Sequence, residues 1–306
     1  MGASGPWTVK SVLEWTTGYL ERKGDEHPRL SAEWLMSAVM GLSRVELYVN
    51  FDKPLNSDEL ASMHAAIVRR AAGEPLQYVT GEMPFRHIVL CCERGVLIPR
   101  PETEILVDAA LEGVDAATAG ASEEDDGPDE RHALVLEVGT GTGCIALSMA
   151  SERPGTRVVA TDISEDAVRL ARRNRDALGL EDAVTIVQCD LAAGVDAELM
   201  GTFDVLVSNP PYVPTEVLDT QVSAEVVDFE PRLALDGGSD GLDVFRRILD
   251  LAPVALAPGG MLAVELFEDS LEEARSLVLA QDGWAAVEVR KDLTGRPRVL
   301  VATREA

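Results

Sequence analysis

The stretch 134-LVLEVGTGTGCIALSMA-150 reads as a strand, a glycine loop and a helix in direct succession. Everything C-terminal to it repeats the alternation. Apolar runs at 157–162, 184–188, 203–208, 261–266, 284–289 and 298–302 suit strands, and 164-SEDAVRLARRNRDALG-179 has a helical pattern with a capping serine and a closing glycine. Such alternation predicts a mostly parallel sheet with helices on both faces, an α/β fold. Ligands of these sheets sit at the carboxyl ends of the strands, where the chain's motifs also fall.

The glycines at 139, 141 and 143 allow a tight strand-to-helix turn and a close backbone approach by a ligand. Their G-x-G-x-G spacing differs from the dinucleotide pattern G-x-G-x-x-G. A second strand ends at Asp162, about twenty residues on, where a carboxylate can accept both hydroxyls of a ribose. Loop and carboxylate together point to an adenosine-containing cofactor. They leave a dinucleotide and S-adenosylmethionine both open.

After the apolar run 203-FDVLVS-208 comes Asn209-Pro210-Pro211-Tyr212. Each proline fixes its own φ and pushes the preceding residue into an extended conformation, so Asn209 and Pro210 are held at the strand's end. The segment offers the Asn209 amide, the Pro210 carbonyl and the Tyr212 ring. Such a set accepts hydrogen bonds from a planar NH₂ group and packs an aromatic face over it. The lone pair of an amide or base amine is delocalised and poorly nucleophilic. Acceptors that hold its N–H bonds orient that lone pair and stabilise charge developing during attack on a sulfonium methyl.

The remainder of the chain carries less chemistry. Residues 9–24, 31–41 and 57–73 read as helices, the last two opened by Ser31 and Ser57 as caps and closed by Gly41 and Gly73. Residues 73–107 suggest a hairpin, with Pro101 opening a helix. Residues 113–132, with SEEDDGPDER, read as an acidic loop. Four cysteines and four histidines are scattered without metal-ligand or disulfide spacing. The net charge of −26 disfavours a chain that grips a phosphate backbone. No leader-like or membrane-spanning run stands out, which makes a soluble cytoplasmic protein the expectation.

Over nearly its whole length the chain resembles the release-factor glutamine methyltransferases, the HemK/PrmC family. The resemblance rests on 73-GEPLQYVTGEMPF-85, 97-LIPRPETEILV-107, 136-LEVGTGTGCIALSMA-150, 161-TDISEDAVRLARRN-174, 208-SNPPYV-213 and 229-FEPRLALDGGSDGLDVFRRI-248. NPPY is shared with amino-methylating enzymes of nucleic acid, whereas LIPRPETE and EPRLAL-GG-DGL are more particular. The resemblance implies a Rossmann-like class I S-adenosylmethionine-dependent methyltransferase domain at 133–306. Before it would come a helical substrate-docking domain at 1–75, a hairpin and connecting helix at 76–112, and the acidic loop at 113–132. It implies that Glu137, Gly139, Thr140, Gly141, Thr142, Gly143, Asp162, Asp190, Leu191 and Asn209 bind S-adenosylmethionine. It further implies that Asn209, Pro210, Pro211 and Tyr212 hold the glutamine of a Gly-Gly-Gln loop in a peptide chain release factor. Two positions depart from the family pattern: Asp190-Leu191, where an aromatic residue often follows the third strand, and Phe267, where a glycine is common.

Three other readings compete. An adenine- or other amino-methyltransferase of nucleic acid would need a basic or aromatic strand-binding surface, and aromatic residues make up only 5% of this chain. A non-catalytic interaction protein has no reason to keep both loop and NPPY. A dinucleotide-dependent oxidoreductase lacks a candidate hydride-transfer site.

Overall fold

Capping, more than hydrophobic spacing, sets where the first helices begin. The computed structural model describes residues 6–119 and 132–306. Contacts divide the chain into two units, Met1–Glu82 with Ser223–Phe229, and Met83–Val222 with Glu230–Ala306. The first unit holds α1 (Val9–Arg22), α2 (Pro28–Met40), α3 (Arg44–Val49), α4 (Ser57–Ala71) and α5 (Leu76–Thr80). Thr8 and Ser11 form a capping box at α1, and Val9, Val12, Leu13, Thr16 and Leu20 are buried along one face.

Ser31 and Ser57 are not the caps that their positions suggest. Helix α2 begins earlier, at Pro28, whose fixed φ suits a first helical residue. Ser31 lies inside it and donates its hydroxyl to Asp25 at 2.9 Å. Helix α4 is capped by Asn56, whose side-chain oxygen accepts from the amides of Asp58 and Glu59, both at 2.9 Å. One acceptor serving two orphan amides wins over the neighbouring serine. The buried Glu33 ties the bundle together through Arg29, Arg44 and Tyr48, at 2.6, 2.7 and 2.6 Å. Burial pushes its carboxyl up, and the three hydrogen bonds outweigh that and bring it below the usual carboxylate range.

The second unit opens with the hairpin β1 (Glu82–Phe85) and β2 (Ile88–Cys91), then α6 (Thr103–Thr118). The two-residue turn has no glycine. Arg86 takes the left-handed conformation there (φ 49°), held by a forked pair with Glu152 at 2.6 and 2.8 Å. Pro101 precedes α6 in a turn rather than starting it. Helix α6 runs on to Thr118, so the first residues of the expected acidic loop are helical, with Gly113 and Val114 buried. The rest of that loop, 120–131, lies outside the described residues.

From residue 133 the order is β3 (Leu134–Val138), α7 (Cys144–Glu152), β4 (Arg157–Asp162), α8 (Glu165–Leu178), β5 (Val184–Gln188), β6 (Phe203–Ser208) and α9 (Thr215–Thr220). The chain then contributes α10 (Ala224–Phe229) to the first unit, inside the range expected for a single methyltransferase domain. It continues as α11 (Asp243–Ala255), β7 (Leu256–Glu265), α12 (Leu271–Leu279), β8 (Trp284–Lys291) and β9 (Pro297–Arg304). β7 starts five residues before the expected 261, and its Pro258 falls where the pairing with β6 shifts register.

The sheet order is β5-β4-β3-β6-β7-β9-β8. The first five strands are parallel, and β9 runs antiparallel to both neighbours. Alternate residues serve opposite cores. Val135, Val205 and Ala263 pack with α6 and α7 residues such as Leu106 and Leu147. Leu136, Leu206 and Leu262 pack with α11 and α12 residues such as Phe245 and Ala274. Strand order reverses between β3 and β6, which opens a crevice at their carboxyl ends.

Candidate active site

The ends of the three central strands are stapled by short hydrogen bonds. The amides of Gly139 and Thr140 donate to the Thr161 carbonyl at 2.8 and 2.9 Å. The Ser208 hydroxyl donates to the Val138 carbonyl at 2.6 Å. Gly139, Gly141 and Gly143 all have positive φ, at 79°, 57° and 86°. Their roles differ. A Cβ on Gly143 would press on the Leu147 Cδ1 at 2.8 Å, so this glycine serves loop-to-helix packing. A Cβ on Gly141 would meet nothing within 4 Å. That open side faces a cleft.

Of the residues expected to bind, Gly139, Gly141, Asp162, Asp190, Leu191, Asn209, Pro210 and Pro211 line this one cleft. Glu137, Thr140, Thr142, Gly143 and Tyr212 do not. The Thr140 hydroxyl donates to Glu137 at 2.6 Å, and the Thr142 carbonyl accepts from Asn174 at 2.9 Å, so both brace the loop from beneath. Asp162 accepts the Gly141 amide on one oxygen and the Ser164 amide on the other, each at 2.9 Å. Burial raises its pKa against those bonds. Each carboxylate oxygen keeps a further lone pair for a hydroxyl donor.

Glu137 is fully buried, and that desolvation pushes its carboxyl up to about 8, against the hydrogen bond from Thr140. The folded chain then holds a proton that the unfolded chain releases above the ordinary value of 4.5. Stability from this group is therefore present below that value and lost as pH rises to about 8. Glu137→Gln should gain in melting temperature relative to the parent chain as pH goes from about 5 to about 9. Parallel melting curves across that range would contradict the assignment.

Two part-buried polar contacts hold the NPPY segment. The Asn209 Nδ2 donates to the Thr103 hydroxyl at 3.0 Å, and the Tyr212 hydroxyl donates to Glu265 at 3.0 Å. Burial raises the pKa of the Glu265 carboxyl and the neighbouring Thr103 and Tyr212 hydroxyls lower it, burial prevailing, while its Oε2 is buried without a hydrogen-bond partner among the described residues. Tyr212 thus turns its hydroxyl away from the cleft that its prolines line. Behind it lies 235-LDGGSDG-241. Val213 exchanges backbone hydrogen bonds with Leu235 and Gly237, each at 2.9 Å. A Cβ on Gly237 would strike the Pro211 carbonyl at 2.8 Å. The glycines of this stretch let one loop backbone lie directly on another.

Sequence reasoning passed over several of these groups. Thr103 lies in LIPRPETE and Glu265 ends the fifth parallel strand; neither pattern announces a link to Asn209 or Tyr212. Glu230, 5% exposed, accepts from the Ile98 amide at 3.2 Å and from Arg100 at 2.6 Å, joining LIPRPETE to FEPR. Arg247, on α11, pairs with Asp190 at 2.7 Å on the cleft wall. Leu191 beside it holds φ 48°, a left-handed conformation that costs a non-glycine residue about 1–2 kcal/mol.

Residues 11–81 match the family described as the PrmC N-terminal domain, and residues 126–239 match the methyltransferase small domain. The chain is 42% identical to a release factor glutamine methyltransferase of Geobacter sulfurreducens over 96% of both chains. It is 40% identical to one of Chlorobaculum tepidum and 38% to one of Rhodopirellula baltica, again over 96% of each. Among solved structures, the hMettl16 catalytic domain in complex with the MAT2A 3'UTR hairpin 6 superposes with a TM-score of 0.51 at 14% identity, covering 81% of each chain. That likeness is one of fold alone.

Proposed function

The chain belongs to the release factor glutamine methyltransferases, and from that premise we propose how its residues carry out the reaction. It is a protein-glutamine methyltransferase that modifies a release factor glutamine. In our reading the methyl donor is S-adenosylmethionine, the acceptor is the side-chain amide nitrogen (N5) of a Gly-Gly-Gln glutamine, and the consequence is modulated translation termination. The observation that carries this reading is the placement of Asn209 and Pro210 on the same cleft as Gly139, Gly141 and Asp162.

The cleft suits the donor. Open space beside Gly141 admits a ligand against backbone, and the Asp162 carboxylate has lone pairs left for ribose hydroxyls. Asp190 and Leu191 bound the cleft beyond it. When bound, S-adenosylmethionine supplies an electrophilic methyl group on a sulfonium. The chain's own part is to present the nucleophile. The Asn209 side-chain oxygen and the Pro210 carbonyl accept the two N–H bonds of the substrate amide and oppose positive charge building on its nitrogen. Neither acceptor moves far, because Asn209 is tied to Thr103 and the prolines have fixed φ.

We assign docking of the remainder of the release factor to the helical first unit, which carries no chemistry of its own. The net charge of −26 favours a protein loop over a nucleic-acid strand as substrate. Among the described residues no helix is long and apolar enough to cross a membrane, and we place the reaction in the cytoplasm with the translation machinery. Labelled donor should transfer methyl to a release factor, but not to the same factor with that glutamine replaced or to unmethylated duplex DNA. Comparable labelling of the DNA would overturn the assignment in favour of a nucleic-acid amino-methyltransferase.

A further inference from the structure

The order of the strands sets which part of a long ligand lies where. Asn209 follows β6, Gly139 follows β3 and Asp162 closes β4; the next strand outward is β5, which Asp190 follows. Three strand spacings separate β6 from β5, roughly 14 Å across the sheet. With the reacting methyl beside Asn209 and the ribose beside Asp162, the base extends towards Asp190. Ile163 and Leu191 line the cleft at that end and offer apolar faces to a flat ring. Apolar contact alone discriminates weakly between one purine and another.

Hydrogen bonds discriminate well, and two side chains at this end are able to make them. Among the described residues lining the cleft, only Asp162, Asp190 and Arg247 carry charge. Arg247 reaches the cleft from α11, one turn after Val244, which lines it too. Its Nη2 donates to the Asp190 Oδ2 at 2.7 Å. That bond uses one guanidinium N–H and one carboxylate oxygen. The Asp190 Oδ1 and the other N–H groups of Arg247 have no hydrogen-bond partner among the described residues. Both side chains are half-exposed, so the pair contributes little as a stabilising ion pair. What it offers the cleft is a pattern, an acceptor beside a donor, held together by the bond between them.

The edge of adenine carries the complement: an exocyclic amine that donates, next to a ring nitrogen that accepts. We propose that Arg247 is a specificity-determining residue for the base of the methyl donor. It donates to the adenine N1, while Asp190, which orients it, accepts from the exocyclic amine. A 6-oxo purine reverses both groups, setting an oxygen against Asp190 and an N–H against Arg247, and the same pair rejects it.

The inference rests on the reading of the cleft as the S-adenosylmethionine site, and its test separates the two. Calorimetric titration with three ligands needs no turnover. The first is S-adenosylhomocysteine, the donor after loss of its methyl. The second is its 1-deaza analogue, in which a C–H replaces the N1 acceptor, and the third is S-inosylhomocysteine, its 6-oxo analogue. The parent chain should bind the 1-deaza analogue about tenfold more weakly than S-adenosylhomocysteine, and the 6-oxo analogue more weakly still. Arg247→Met keeps an unbranched side chain on an exposed helix position and removes every donor. It should weaken S-adenosylhomocysteine by about the same tenfold and leave the 1-deaza analogue within about twofold of its parental affinity. Equal binding of the first two ligands by the parent chain would overturn the role of Arg247. So would an equal loss of both in Arg247→Met, which would mean that the residue acts through the cleft wall or its charge alone. A parent chain that binds none of the three would contradict the cofactor reading itself, and the inference with it.

Discussion

Asn209→Ala lowers turnover by roughly 10²–10³ while the cofactor's dissociation constant stays within about twofold. The expectation follows from where the side chain sits. Its amide nitrogen is engaged by Thr103, which leaves the oxygen as the part of the residue available to the cleft. An acceptor for the N–H of an amide gains most as positive charge grows on that nitrogen, so its loss falls on the transition state rather than on ground-state binding. The Pro210 carbonyl remains in the variant and accounts for residual activity. Single-turnover rates and calorimetric cofactor titrations check the two halves separately. Turnover at the parental rate would remove Asn209 from the reaction.

Asp162→Ala should act on the opposite quantity. A carboxylate hydrogen-bonded to ribose hydroxyls contributes roughly 1.5–3 kcal/mol, so the dissociation constant should rise about tenfold or more. The substitution also releases the Gly141 and Ser164 amides that Asp162 now holds. Loosening of the glycine loop therefore adds to the loss. A thermal melt alongside the titration distinguishes a weakened site from a damaged fold, since Asp162 closes the carboxyl end of β4 and contributes no apolar core. Unchanged affinity would show that the carboxylate serves the loop alone.

Much of this was readable from the chain because the decisive signals are local. Strands β3, β4, β5 and β6 begin and end where their apolar runs do, and Gly139, Gly141 and Asp162 come to one cleft because they close neighbouring strands of a parallel sheet. Local competition was harder to read. Asn56 displaced Ser57 as a cap by satisfying two amides, and Pro28 started α2 three residues before Ser31. Thr103, Glu230 and Glu265 were invisible for a different reason. Their significance comes from contacts across 106, 132 and 53 positions, which no spacing rule encodes. The glycine-rich 235–241 stretch stood out as a pattern, but its purpose needed the backbone of Pro211 lying against it.

The central claim is that this cleft delivers a methyl group to the side-chain amide nitrogen of one glutamine in a release factor. The most direct measurement is fragmentation mass spectrometry of a release factor incubated with the protein and S-adenosylmethionine. The account predicts a single added methyl, located on the amide nitrogen of the Gly-Gly-Gln glutamine, and absent with the Asn209→Ala protein under the same brief incubation. A methyl on any other residue or on a backbone atom, or an unmodified factor beside methylated adenine in supplied DNA, would contradict it.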